Sequence, residues 1–127
     1  MIDALFNQPN YVAAKKMLDF TVLRHEAIAS NLAHVETPNY KRIDVAPSFA
    51  SQLKTAIAGG GSHAIASIKP RLDVDASKVA TRRDGNTVEL ESEMAELNKN
   101  FLAHTLETQL ISGTLKSLHL AITGRPS

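Results

Sequence analysis

The chain contains no cysteine and no tryptophan, and both absences narrow what it can be. Without cysteine there is no disulfide framework and no thiolate metal site. The aromatic residues are four Phe and two Tyr, which leaves little bulky material for a compact core of 127 residues. This scarcity suggests that neighbouring molecules complete the burial of the chain.

An excess of one charge and long hydrophobic runs are missing as well. The net charge of +1 argues against DNA or an anionic membrane as a partner. No segment approaches the roughly 20 apolar residues of a membrane-spanning helix. Met1–Asn7 show no basic region followed by an apolar run, so we expect no cleavable secretory signal. The length predicts one domain.

The histidines do not predict a metal site. They are His25, His34, His63, His104 and His119, and they form neither an i, i+4 pair nor a compact cluster. Since His25 and His104 fall on the helical rows described below, we interpret them as packed, hydrogen-bonded residues.

No catalytic group stands out either. The acidic cluster comprises Glu89, Glu91, Glu93 and Glu96. Two of these carboxylates could in principle cleave a polysaccharide, but in the first turns of a helix they are better read as surface charges that favour its dipole. Gly59–Gly61 lack the Lys-Ser/Thr of a phosphate-binding loop. We therefore expect neither an enzyme nor a cofactor.

A long helical pattern fills the C-terminal third. Its apolar row is Leu90, Met94, Leu97, Phe101, His104, Thr108, Ile111, Leu115, Leu118 and Ile122, with heptad spacing. Asn86 and Glu89 have the spacing of a capping box, and Gly124 followed by Pro126 is a stop signal. Such a helix would be roughly 50 Å long at 1.5 Å per residue, so we expect a rod-shaped protomer.

A shorter row of the same spacing lies near the N-terminus. It is Tyr11, Ala14, Leu18, Thr21, His25, Ile28, Leu32 and Val35. The two patterns predict a mainly α fold, in which long N- and C-terminal helices pack as a coiled-coil pair with a short extended or loop region between them. The sequence permits an antiparallel or a parallel pair.

Each helix carries a second apolar row. These rows are Phe20, Leu23 and Ala27 on the N-terminal helix, and Leu102, Leu106 and Leu110 on the C-terminal one. Two rows imply at least two neighbours, so we expect other molecules to cover some of this surface. The alternative is that the middle of the chain folds back over it. Gly113 either permits close approach of a neighbouring helix, allows bending, or is merely tolerated.

The middle of the chain shows weaker signals. Alternation from Ile43 to Phe49 predicts a short extended arm, and residues 48–58 a short helix with Phe49, Leu53 and Ile57 on one face. A glycine-rich break follows at 59–62, then a loop or small β element over 63–83. We divide the chain into 1–42, a variable middle 43–86, and 87–127, with both ends forming one helical unit.

The most specific segment is the corner where the first helical pattern stops, near Val35. Pro38 fixes its own φ and keeps Thr37 out of the helical region. Asn39 then takes a turn position that requires positive φ. The motif residues are Asn31, Ala33, Thr37, Pro38, Asn39, Tyr40 and Lys41.

This motif resembles the N-terminal signature of flagellar basal-body rod and hook proteins, roughly Asn-Ile-Ala-Asn-x-x-Thr-Pro-Gly-Tyr-Lys. Leu32, His34 and Asn39 depart from it. A second stretch, residues 84–94, is similar to the segment before the long helix in the proximal rod members of that family. Thr87, Glu89 and Glu91 are conservative departures there.

The resemblance implies a non-enzymatic rod subunit of the periplasmic basal body, exported without a cleaved signal. Its terminal helices would line the inner tube. Its expected partners are other copies, neighbouring rod proteins, the junction protein, and export-gate and inner-membrane ring proteins, with no nucleic acid. The assembly residues would be Leu18, Ile28, Leu32, Leu90, Met94, Leu97, Phe101, Leu106, Leu110, Ile111, Leu115, Leu118 and Ile122.

Two other classes of function are considered. A soluble helical adaptor or chaperone-like protein of a secretion apparatus would bind one partner and fold fully alone. A small hydrolase has almost no support from the residues.

Overall fold

A computed structural model describes residues 8–124. The elements in chain order are helix α1 (Pro9–Ala33), strand β1 (Ile43–Val45), helix α2 (Ser48–Ala58), helix α3 (Ser62–Ser67), strand β2 (Leu72–Val74) and helix α4 (Leu90–Thr123). The mainly α prediction is confirmed, with long terminal helices packed together and a short middle region that holds a small sheet. None of the described helices is long and apolar enough to cross a membrane.

The two long helices run antiparallel, which the sequence alone left open. Asn31, near the end of α1, bonds to Glu93 in the first turn of α4. Thr21, in the middle of α1, contacts Asn100 and His104 farther along α4. As one helix advances, its contacts therefore move backwards along the other.

Helix α4 has 34 residues, and local chemistry at each end favours its start and its stop. Glu91 and Glu93 lie in its first turn, where negative charge favours the helix dipole. Gly124 terminates the helix with a φ of 66°, a left-handed conformation that glycine adopts freely. The predicted stop is thus confirmed at Gly124, whereas Pro126 lies outside the described residues. The predicted capping box is wrong, because Glu89 takes the N-cap position and no side chain caps the helix there.

The middle region folds back onto α1. Strands β1 and β2 pair antiparallel, with Ile43 opposite Val74 and Val45 opposite Leu72. Behind them is a buried cluster of Val45, Phe49, Leu53 and Ile65, packed against Val12, Ala13, Met17, Phe20 and Leu23 of α1. This cluster is the core of the molecule.

The second row of α1 is therefore covered by its own chain. The ring of Phe20 stacks on that of Phe49, with centroids 5.4 Å apart. The alternative in which the middle folds back holds for α1, and the expectation of an external neighbour there is wrong. Helix α2 has the predicted bounds, although Ile57 is exposed rather than buried with Phe49 and Leu53. The short helix α3 was not predicted.

The face of α4 that packs on α1 only partly matches the predicted row. At every second position of the row, the buried residue is the one just before the predicted residue. Leu97, His104, Ile111 and Leu118 are partly buried as expected. Between them, however, the chain buries Glu93 and Asn100 instead of Met94 and Phe101. Buried polar side chains must find hydrogen-bond partners, and those partners come from α1 and from the corner that follows it.

Candidate assembly surface and the corner behind it

The corner after α1 is a tight turn with the predicted geometry. The Tyr40 amide donates to the Thr37 carbonyl at 3.3 Å, closing a four-residue turn around Pro38 and Asn39. Asn39 has a φ of 62° and is the only non-glycine residue of the described chain with positive φ. Its amide donates to the Asp84 carbonyl at 2.8 Å, so the turn is tied to the segment that precedes α4.

Asn31 joins three elements from a fully buried position. Its Nδ2 donates to the Ile43 carbonyl at 2.8 Å and to the Glu93 carboxylate at 3.2 Å. Its Oδ1 accepts from the Ile43 amide at 2.9 Å and from the Tyr40 hydroxyl at 3.3 Å. The whole hydrogen-bonding capacity of the amide is thus used to hold α1, β1 and α4 together.

The other motif residues lie around this amide. The Tyr40 ring stacks on His34 with centroids 4.5 Å apart, so the departure at position 34 supplies an aromatic contact. Lys41 donates from Nζ to the Gly85 carbonyl at 2.9 Å. Ala33 ends α1 with its side chain exposed, and Thr37 and Pro38 are also exposed.

The end of α1 is capped by a side chain from far along the chain. Asn86 Nδ2 lies 2.9 Å from the His34 carbonyl, 3.1 Å from that of Val35 and 2.8 Å from that of Thr37. Its Oδ1 accepts from the Val88 amide. These carbonyls follow Ala33, the last residue of α1, so Asn86 holds the turn by which the chain leaves the helix. This role replaces the N-capping role that the spacing to Glu89 predicted.

Gly85 allows the two segments to meet. Its φ is +77°, and a Cβ at this position would lie 2.5 Å from Asn39 Oδ1. The positive φ therefore disfavours a side chain here, and the end of the Asn39 side chain would have to shift to admit one. The two sequence signatures, around positions 37–41 and 84–88, are thus the two sides of one junction.

A buried ion pair anchors α4 to this junction, and sequence reasoning missed it. Arg42 Nε donates to Glu93, and Arg42 NH1 lies 3.0 Å from Asp44 Oδ2 and 2.8 Å from Asp75 Oδ2. Glu93 is fully buried, and Glu96 pairs with Arg24 at 2.5 Å. The interpretation of these two carboxylates as surface charges is therefore wrong.

The charges of this cluster stabilise one another. Burial alone would lower the pKa of the Arg42 guanidinium, but hydrogen bonds and charges from Glu93 and Asp44 outweigh it and raise the pKa. Burial would likewise raise the pKa of the Asp75 carboxyl, but hydrogen bonds from Ser77 and the charge of Arg42 lower it. Arg42 is thus held as a cation amid carboxylates.

The back of α4, away from α1, is apolar and uncovered. Leu102, Leu106 and Leu110, called the outer row below, are 61%, 59% and 60% exposed. Phe101, beside this row, is 70% exposed. A contiguous apolar surface of this kind marks an interaction site rather than a solvated face.

The predicted assembly residues fall into three groups by burial. Ile28 is fully buried within the chain. Leu18, Leu32, Leu97, Ile111 and Leu118 are partly buried. Leu90, Met94, Phe101, Leu106, Leu110, Leu115 and Ile122 are exposed.

The described residues offer no catalytic or metal-binding constellation to weigh against this surface. Within 8–124, no group of three His, Cys, Asp or Glu side chains is placed to hold a metal ion. Asp44 and Asp75 are engaged with arginine.

Comparison with known proteins identifies the class to which this junction belongs. No protein-family model matches the chain. It is 31% identical to the flagellar basal body rod protein FlgB of Borrelia hermsii, over 86% of this chain and 92% of that protein. It is 32% identical to FlgB of Aquifex aeolicus, over 87% and 90%, and 27% identical to FlgB of Proteus mirabilis, over 93% and 95%.

The similarity covers 86% and 87% of this chain, so it includes the junction and parts of both terminal helices. FlgB proteins are structural proteins of the rod and not enzymes. The chain belongs to the FlgB family of flagellar basal body rod proteins.

Proposed function

We propose that this rod subunit polymerises through its two terminal helices, with the outer row of α4 buried against other copies and neighbouring rod proteins. The observation that carries the proposal is that α4 buries polar side chains and exposes apolar ones. Glu93 and Asn100 are buried, whereas Leu102, Leu106 and Leu110 are exposed. A helix that evolved to face water on that side would carry polar residues there. Burying leucine side chains stabilises an interface by roughly 1.5–3 kcal/mol each.

The family supports a finer placement, at the proximal end of the rod. There the subunit would meet the junction protein and the export-gate and inner-membrane ring proteins, with α1 and α4 lining the channel. We propose further that the protein reaches the periplasm through the flagellar export apparatus without a cleaved signal. In this proposal residues 1–42 and 87–127 form the axial unit, and residues 43–86 face outward.

The corner gives the assembly its geometry in this proposal. Asn31, Asn86 and the Arg42–Glu93 pair fix the direction in which α4 leaves the junction. The angle between the outer row and the rest of the protomer is thereby set before assembly. A helical array needs a constant angle, because heterologous interfaces repeat the same offset at each step.

The test is Leu106→Asp, with Asn98→Asp as a matched control. Both positions are exposed on α4, and both variants add one negative charge. We expect Leu106→Asp to abolish rod assembly and swimming while the protein is still exported, and Asn98→Asp to swim normally. The same loss is expected for Leu97→Asp and Leu115→Asp.

Normal swimming of the Leu106→Asp strain would contradict the proposal. It would favour the soluble adaptor, which uses no polymer contact on this face.

A further inference from the structure

A cleft opens between α1 and α4 beside the outer row, and it contains an unsatisfied buried acceptor. Its volume is about 380 Å³. Asn100 lines it and is 2% exposed. Its Nδ2 donates to the Thr21 carbonyl, but its Oδ1 has no hydrogen-bond partner within the described residues. A buried acceptor without a partner is unfavourable, and a donor from outside the protomer would satisfy this atom.

Thr21, His104 and Glu26 add further acceptors to the cleft, which His25 also lines. The Thr21 hydroxyl donates to the Leu18 carbonyl at 2.9 Å. It therefore accepts from His104 Nδ1–H at 3.1 Å, and in that tautomer Nε2 is an acceptor. Glu26 adds a carboxylate at the rim, and none of the lining residues is lysine or arginine.

The apolar part of the cleft suits the stem of a long side chain. Val22 and Phe101 form its walls, and both are exposed. An aromatic face next to a carboxylate favours a guanidinium, which stacks on rings, loses its hydration readily and donates several hydrogen bonds at once. The chemistry of the cleft is thus that of an arginine receptor.

The chain presents such an arginine. Of the arginines within residues 8–124, Arg24, Arg42, Arg71 and Arg82 each pair with a carboxylate. Arg83 is exposed and has no ion pair or hydrogen bond within residues 8–124. It lies in the segment before Asp84 and Gly85, on the junction rather than in the cleft, so the donor and the receptor are on different surfaces. This is the layout of a head-to-tail interface.

We propose that Arg83 of one copy inserts into the cleft of the next copy, donating to Asn100 Oδ1 and pairing with Glu26. The inference rests on the proposed function, because it names one contact of the polymer. It assigns to the junction a second task, which is to present Arg83 to the neighbouring subunit.

The absence of cysteine makes a direct test possible. Arg83→Cys and Val22→Cys are introduced together in the full chain, and isolated basal bodies are treated with a bis-maleimide that spans about the length of an arginine side chain. We expect multimers of this chain in the double variant and none in either single variant. Arg83→Cys combined with Lys54→Cys, an exposed position outside the cleft, is the matched control and should give none.

Charge exchange is the second arm. Arg83→Glu and Glu26→Arg should each cause loss of swimming, and the double variant should restore it. Thermal unfolding of each purified variant checks that the fold is unchanged, as expected for two exposed positions.

The cross-linking result decides whether Arg83 of one copy lies in the cleft of the next. No cross-link in motile cells, or a cross-link from the Arg83→Cys thiol to a different rod protein, overturns the inference. If Leu106→Asp still blocks assembly in that case, the proposed function stands and only this contact is wrong.

Discussion

Helices α1 and α4 pair with each other but differ in how much of their apolar surface the protomer covers. The apolar rows of α1 are covered on one side by α4 and on the other by β1, α2 and α3. Helix α4 buries Glu93 and Asn100 on its covered face and leaves Leu102, Leu106 and Leu110 exposed. The protomer thus completes the burial of one helix and leaves the other for its neighbours. If the proposed assembly is right, the core around α1 contributes mainly to stability and the exposed back of α4 mainly to assembly.

The largest effect on stability is expected at the ion pair that joins the two regions. Glu93→Ala leaves Arg42 buried without its main partner, and removing one partner of a buried pair costs about 3–5 kcal/mol. Urea unfolding of the purified protein measures this loss. The control is Arg42→Met with Glu93→Leu, which removes both charges and should cost far less. Equal losses in the single and double variants would show that the charges do not matter.

A matched pair of leucines compares the two regions directly. Leu53→Ala opens a cavity in the core that covers α1, and the expected loss is about 2–5 kcal/mol. Leu106→Ala removes the same atoms from the exposed back of α4 and should change the free energy of unfolding by about 0.5 kcal/mol or less. Swimming should fall in the Leu106→Ala strain despite normal stability. A large loss of stability at Leu106 would mean that α4 is covered in the monomer.

A matched pair of glycines makes the same comparison with smaller effects. Gly85→Ala meets both positive φ and the Asn39 side chain, and the expected cost is about 1–3 kcal/mol. At Gly113, by contrast, an added Cβ has nothing within 4 Å, so Gly113→Ala should stabilise the monomer by about 1 kcal/mol through helix propensity. If Gly113→Ala also impairs swimming, a neighbouring subunit approaches α4 there. A destabilised Gly113→Ala monomer would contradict the open position of this residue.

The smallest effect is a dependence on pH. The pKa of Asp75 is lowered below its ordinary value of 3.8, so its stabilisation is complete above that value. It is lost as the pH falls through the lower pKa of the folded state. Asp75→Asn should therefore flatten the decline of the melting temperature in acid. An unchanged acid profile in the variant would contradict the contribution of this carboxylate.

Local chemistry predicted the corner and the helix ends well. The Thr-Pro-Asn sequence carries enough steric information to give Asn39 its positive φ, and Gly124 ends α4 in a left-handed conformation. Both features depend on residues within a few positions of one another, which is what a sequence pattern can show.

Long-range polar contacts were not predicted, and they shifted the face of α4. Asn100 is buried because the Thr21 carbonyl, 79 residues away, accepts from it. Glu93 is buried because Arg42 lies 51 residues away in the chain and beside it in space. Periodicity counts these two residues as polar and assigns them to the surface. Helix α3, with six residues, is too short to show a period at all.

The central claim is that the outer row of α4 is open in the monomer and covered in the rod. Because the chain lacks cysteine, Leu106→Cys places a single thiol on that row for labelling with a soluble maleimide. We expect rapid labelling of the purified monomer and strong protection in basal bodies isolated from swimming cells. Equal labelling rates in the two preparations would contradict the account.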